Sequence, residues 1–191
     1  MKFLFNLPGM LVFQARALQD QAGRQTVFGA IACFSAGFLC YCLVKNHVYA
    51  ELPEISEQTS GWIHYLLRLN LVQNLFFLLF IFVPGLIMLA RSIPGEGSGP
   101  LISGREYRSH ISSLLPMWGL LFLITAPIQW IVPHFLLIGM FEISIGMLVR
   151  SILLAVYTVW AVKRLNSLTT VQALGIFALS LVTLPVLFLL T

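Results

Sequence analysis

Five stretches of this chain are long and apolar enough to cross a bilayer, and that constrains the fold more than anything else in the sequence. A helix rises about 1.5 Å per residue, so about 20 apolar residues cover the hydrocarbon core. The five stretches fall at 27–44, 71–90, 113–131, 135–162 and 169–190. Composition agrees: 59% of residues are hydrophobic and 9% charged, with a mean hydropathy of +0.92. Soluble domains carry roughly 25% charge. A solvated globular enzyme, a disordered chain, a coiled coil and a disulfide scaffold are therefore excluded. The expected fold class is all-α, a polytopic transmembrane helix bundle of five spans preceded by an N-terminal interfacial helix.

Four prolines (Pro84, Pro116, Pro127 and Pro185) lie inside these stretches. Neighbouring helices can re-satisfy the carbonyls that a proline frees, and kinks are expected at Pro84 and Pro127. The first stretch is not read as a cleaved leader. It follows about 26 residues of mixed polarity and lacks a small-residue cleavage site.

The net charge of +4 comes from 11 Lys+Arg against 7 Asp+Glu. In a membrane chain this excess points to basic cytoplasmic loops facing anionic headgroups and not to nucleic acid. Lys2, Arg16, Arg24, Arg91, Arg105, Arg108, Lys163 and Arg164 fall on one side of the five crossings. Only Lys45 and Arg68 fall on the other, at span ends where they can snorkel, together with Glu51, Glu54 and Glu57. This bias places the N-terminus in the cytoplasm and the C-terminus outside. Residues 1–26 then form a cytoplasmic arm and 27–191 the membrane domain. Within the arm, 7–24 mixes Met10, Leu11, Phe13 and Leu18 with Gln14, Arg16, Gln19, Asp20 and Gln21, the pattern of a helix lying on the membrane face.

Glu142 and Arg150 are the charges inside the fourth stretch. A mid-membrane charge costs about 2.5–3.5 kcal/mol on insertion scales, so it faces a partner or a wet cavity. On a helix the two would lie about 12 Å apart along the axis and about 80° apart around it. They read either as a polar pathway or as buried charges satisfied by neighbours. Asn70, Gln73 and Asn74, at i, i+3 and i+4, form a polar stripe suited to helix–helix hydrogen bonding or to a ligand. These five residues are the intramembrane polar candidates.

Other chemistry is weakly signalled. His47, His64, His110 and His134 match no metal-binding spacing. Cys33, Cys40 and Cys42 share one apolar stretch without accompanying His or carboxylate and read as small hydrophobes. Tyr49, Trp62, Tyr65 and Trp130 suggest an interfacial aromatic belt. The loop 92–104, rich in Gly, Pro and Ser, lacks the Gly-Lys-Ser/Thr ending of a phosphate cradle. No Gly-x-Ser-x-Gly elbow and no carboxylate pair spaced for acid–base work is present. The reading is therefore no enzyme, no cofactor and no metal, with membrane lipids and other membrane subunits or a second copy as partners.

Three segments carry a family resemblance. They are MKFLFNLPGMLVFQARAL at the start, REYRSHISSLLPMWGLLF at the approach to the third span, and LLAVYTVWAVKRLNSLTTVQALGIFALSLVTLPVLFLL over the last two spans. Together they resemble the bacterial branch of the Yip1 family, although Leu7 separates Asn6 from Pro8 where that family has an Asn-Pro-like start. The resemblance implies a five-span bacterial inner-membrane protein with its N-terminus inside. It implies a scaffold or assembly role and supplies no catalytic residues. A rival resemblance, carried by LIMLARSIPGEGSGPLISGREYRSHI with Glu96 before Gly97-Ser98-Gly99, is to ABC-2 type permeases working with a separate ATPase. Those normally have six spans. An intramembrane enzyme acting on lipid is the third reading.

Overall fold

A computed structural model describes residues 7–24, 26–50, 70–92, 102–131, 135–138 and 141–189. These residues are helical apart from short turns and one pair of antiparallel strands. The arm forms α1 (Leu7–Leu11) and α2 (Ala15–Arg24), and α3 follows at Val27–Ala50. Helix α4 covers 70–91 in three pieces: Asn70–Phe77, a π-helical turn Leu78–Phe82, and Val83–Arg91. Helix α5 is Gly104–Ile131. Strands β1 (Phe135–Ile138) and β2 (Phe141–Ser144) pair antiparallel, with Ile138 opposite Phe141. Helices α6 (Ile145–Leu165) and α7 (Thr170–Leu189) complete the chain.

Among the described residues three segments are long and apolar enough to cross a membrane: Val27–Val44, Gln73–Arg91 and Gly104–Ile128. Helix α7 contributes a shorter apolar helix, Thr170–Leu181. The surface is greasy as well as the core: Phe28 is 91% exposed, Phe80 65% and Val171 81%. Bare apolar side chains on successive helices suit a lipid solvent and not water.

Helix α5 is the axis of the bundle. Of its apolar window 67% is buried, against 22% for α3 and 28% for α4. Small residues let α3 approach it. A Cβ added at Gly37 would lie 1.9 Å from the Gly119 carbonyl oxygen, and one at Gly119 would lie 2.5 Å from the Cys33 carbonyl oxygen. Glycine at both positions is what permits this backbone contact, as at small-residue crossings in membranes generally. Around it pack Phe34, Leu115 and Leu121, with Phe122 edge-on to both Phe34 and Phe38.

Local chemistry sets the helix starts. The Glu106 N–H donates to Ser103 Oγ at 3.2 Å, an N-cap for α5. A full capping box opens α7: the Thr169 N–H donates to Gln172 Oε1 at 2.9 Å, and the Gln172 N–H to Thr169 Oγ1 at 3.3 Å.

Three sequence expectations change. The third apolar stretch starts earlier as a helix, at Gly104, because the Ser103 cap fixes its first turn. The fourth is a helix only from Ile145, and strands Phe135–Ile138 and Phe141–Ser144 precede it. The arm is two helices and not one, broken at Phe13, which adopts a left-handed φ of 58°. Pro127 lies inside a continuous α5, whereas Pro84 follows the π-turn of α4.

That π-turn leaves one carbonyl to a partner on another helix. The Val83 N–H donates to the Leu78 carbonyl, five residues back. In this register the next carbonyl, that of Leu79, would be served by residue 84, and proline has no N–H. The Tyr107 hydroxyl of α5 donates to the Leu79 carbonyl at 2.5 Å instead. A side chain from a neighbouring helix thus replaces the missing donor.

Candidate functional site

Polar groups gather at the end of the bundle where α2, α4 and α6 finish and α5 and α7 begin. Arg91 and Glu106 form a two-point ion pair: Nε donates to Oε1 at 3.2 Å, and Nη2 reaches Oε2. His110, 3% exposed, lies one turn further along α5. Its Nδ1 lies 2.9 Å from the Glu106 carbonyl and its Nε2 3.1 Å from Asn166 Nδ2. A carbonyl only accepts, so Nδ1 carries the proton and Nε2 accepts from the Asn166 amide, the neutral tautomer. Asn166 Nδ2 also donates to the Val162 carbonyl at 3.0 Å. Ser112 Oγ donates to the Gln21 carbonyl at 3.2 Å, joining α5 to the arm. The Gln21 side chain is fully buried, and neither of its polar atoms has a hydrogen-bond partner among the described residues.

The arm is held to α6 by rings. Phe13 stacks on Tyr157, with centroids 4.5 Å apart, and meets Trp160 edge-on at 5.3 Å. The Tyr157 hydroxyl donates to the Leu11 carbonyl. These contacts offset the strain of a left-handed phenylalanine.

A cleft of about 320 Å³ is bounded by α3, α4, α5, α6 and α7. Phe34, Phe82, Trp118 and Thr158 form its buried floor. Asn74, Ser151 and Leu181 are exposed at its rim. Trp118 Nε1 donates to Thr158 Oγ1 at 2.8 Å, and Thr158 Oγ1 donates to the Leu154 carbonyl at 2.6 Å. The floor's polar atoms are therefore satisfied, and it presents hydrocarbon. Arg150 does not line the cleft but touches a residue that does. Its guanidinium carbon lies 4.3 Å from the Tyr41 ring centroid and 5.3 Å from that of Phe122, itself a cleft residue. Arg150 Nη1 is buried and makes no hydrogen bond among the described residues.

The five residues singled out from sequence do not form one constellation. Asn74 lines the cleft, Arg150 touches the cleft residue Phe122, and Gln73 is exposed on α4. Asn70 begins α4, but its side chain lies outside the described residues. Glu142 is on β2, opposite Leu137, and not on a membrane helix, so the helical spacing expected between it and Arg150 does not hold. The surroundings of its side chain, and those of His47, Tyr49 and Trp130, also lie outside the described residues, as do Trp62, His64, Tyr65, His134 and most of the loop 92–104. Cys33, Cys40 and Cys42 form no disulfide among the described residues. Among the described residues no three of His, Cys, Asp and Glu come together as a metal site requires.

Sequence reasoning missed Tyr41 and Phe122 as partners of Arg150. Their only signal was being aromatic within apolar spans, which is common to most positions there. It also missed the Arg91–Glu106 pair, for which opposite charges flanking one loop were a usable cue. No family model matches the chain, and no curated protein or solved structure does either.

Proposed function

We propose that this chain is a five-span integral membrane protein of Yip1-like architecture, seated in a bacterial inner membrane with its N-terminus in the cytoplasm. It acts as a non-enzymatic scaffold or assembly factor. The observation that carries this reading is how the polar side chains are used: they tie helices to one another. Arg91 binds Glu106, His110 binds Asn166, Trp118 binds Thr158 and Tyr107 binds the Leu79 carbonyl. Each tie joins different helices, or a helix to the α6–α7 turn, and each fixes a packing arrangement. Interhelical hydrogen bonds of this kind contribute about 0.6 kcal/mol on average in a membrane. Together they favour one rigid bundle over a moving one.

The test uses the full chain in detergent and in sealed vesicles. Substituting Glu106→Gln or Thr158→Val is expected to lower thermal stability and cellular function together. A stoichiometric ATPase co-purifying with the chain would overturn the reading in favour of a permease subunit. So would a folded variant that retains full stability yet abolishes a solute flux.

A further inference from the structure

We infer that the cleft holds one hydrocarbon chain of an anionic glycerophospholipid, with the lipid's phosphate paired to Arg150. The inference rests on the membrane-spanning reading above but not on a scaffold role.

Three observations meet at this place. The first is the shape and lining of the cleft. Its volume of about 320 Å³ lies at the lower end of the range for ligand sites, roughly 300–1,000 Å³. Its floor is aromatic and aliphatic, and the two polar groups there, Trp118 Nε1 and Thr158 Oγ1, are already bonded to each other. Such a floor suits a ligand with no polar atoms at that depth, which is to say an acyl or similar chain. Exposed Asn74, Ser151 and Leu181 at the rim leave a lateral opening where bilayer lipid is the solvent.

The second observation is charge. Arg150, next in sequence to the rim residue Ser151, lays its guanidinium against the rings of Tyr41 and the cleft residue Phe122. Ring faces attract the cation but do not neutralise it. Arg150 Nη1 is out of solvent and unbonded among the described residues. A guanidinium presents a planar fork that matches a phosphate, and a charge-assisted bond is roughly twice as strong as a neutral one. An unbonded nitrogen beside an apolar cleft is where an anionic headgroup would complete the site.

The third is depth. Asn74 and Ser151 lie near the starts of α4 and α6, and Phe122 and Leu181 lie well along the antiparallel α5 and α7. The rim and Arg150 are therefore in the half of the bundle away from Arg91, Arg105 and Lys163. The polar end of the site faces one leaflet and the hydrocarbon end points toward the bilayer centre, the direction in which a phospholipid is built.

The experiment is native mass spectrometry of the full chain, delipidated in detergent and titrated with dioleoyl phosphatidylglycerol or dioleoyl phosphatidylcholine. One phosphatidylglycerol per chain is expected, retained about tenfold better than phosphatidylcholine, as one charge-assisted contact would give. Arg150→Gln is expected to remove the preference and Arg150→Lys to keep most of it. Ala155→Trp and Leu181→Trp, which put an indole into the cleft from the wall and from the rim, are expected to reduce retention of both lipids. The second guards against a fold lost in the first. Arg105→Gln, exposed at the other end, is expected to change nothing. Equal retention of the two lipids by the unaltered chain would overturn the inference. So would a preference that survives Arg150→Gln, or retention unmoved by both tryptophans in folded protein. Competition by inorganic phosphate as strong as by lipid would overturn the acyl-chain half of the site.

Discussion

Two glycines that look alike in sequence sit in opposite circumstances. Gly119 faces backbone: an added Cβ would meet the Cys33 carbonyl oxygen at 2.5 Å and Phe34 Cα at 2.6 Å. Neither atom can swing away as the end of a flexible side chain can, so α3 and α5 would have to part. Gly175 in α7 has nothing within 4 Å of that position. Gly119→Val should therefore destabilise the bundle by about 1–3 kcal/mol, the range for overpacking a well-filled site. Gly175→Ala should be neutral or stabilising by up to about 1 kcal/mol, because alanine loses less backbone freedom in a helix. Thermal unfolding of the two variants in the same detergent checks both, and a midpoint that drops no further for Gly119→Val than for Gly175→Ala would refute the close crossing. Arg150 makes the matching point about charge. Its place in an apolar stretch was legible and marked it for attention. Its ring partners were not, because Tyr41 and Phe122 are brought to it by the α3–α5 crossing that the two glycines permit.

At the scale of elements, α4 shows a proline and a tyrosine on different helices acting as one unit. The π-turn leaves the Leu79 carbonyl without a backbone donor because residue 84 is proline, and the Tyr107 hydroxyl serves it. Tyr107→Phe should cost about 1–3 kcal/mol, the penalty for stranding a half-buried acceptor. In a Pro84→Ala background the same change should cost clearly less, since residue 84 then has an N–H to offer. A double-mutant cycle on unfolding free energies measures the difference, and a coupling of zero would show that the two residues act independently. Helix existence was legible wherever apolar residues ran on for about 20 positions, as over Val27–Val44. The strand pair was not. Residues 135–144 read as a continuation of the fourth span, because a short apolar run has no period that separates strand from helix. Glu142 therefore came out on β2, in a place its sequence neighbourhood did not signal. The break in the arm was hidden for a different reason. Phe13 gives no local hint of a left-handed backbone, and its conformation is held by Tyr157 and Trp160 far along the chain.

For the whole molecule, charge and packing give two independent views of the same end. Counting Lys and Arg by loop put Arg24, Arg91, Arg105, Arg108, Lys163 and Arg164 on one side of the crossings. The packing brings those segments together through contacts that the loop count did not use. Ser112 reaches the end of α2, Arg91 pairs with Glu106, and His110 reaches Asn166 in the turn after α6. On the proposed topology, a bundle whose basic residues share one end would be oriented by them, with that end on the cytoplasmic side. On the five-span proposal, α3, α4, α5, α6 and α7 each cross once from it, and the two chain ends face opposite sides. Replacing Cys33, Cys40 and Cys42 by serine and introducing Ser92→Cys at the close of α4 gives a reporter for the basic end. In intact spheroplasts a membrane-impermeant maleimide should leave this introduced thiol unlabelled, while added protease removes a tag fused behind Thr191. Opening the cells should make the thiol reactive. If the tag instead resists protease until the cells are opened, an even number of helices crosses and one of α6 and α7 does not span. The inside-out charge argument would survive that result, but the Yip1-like five-span architecture would not.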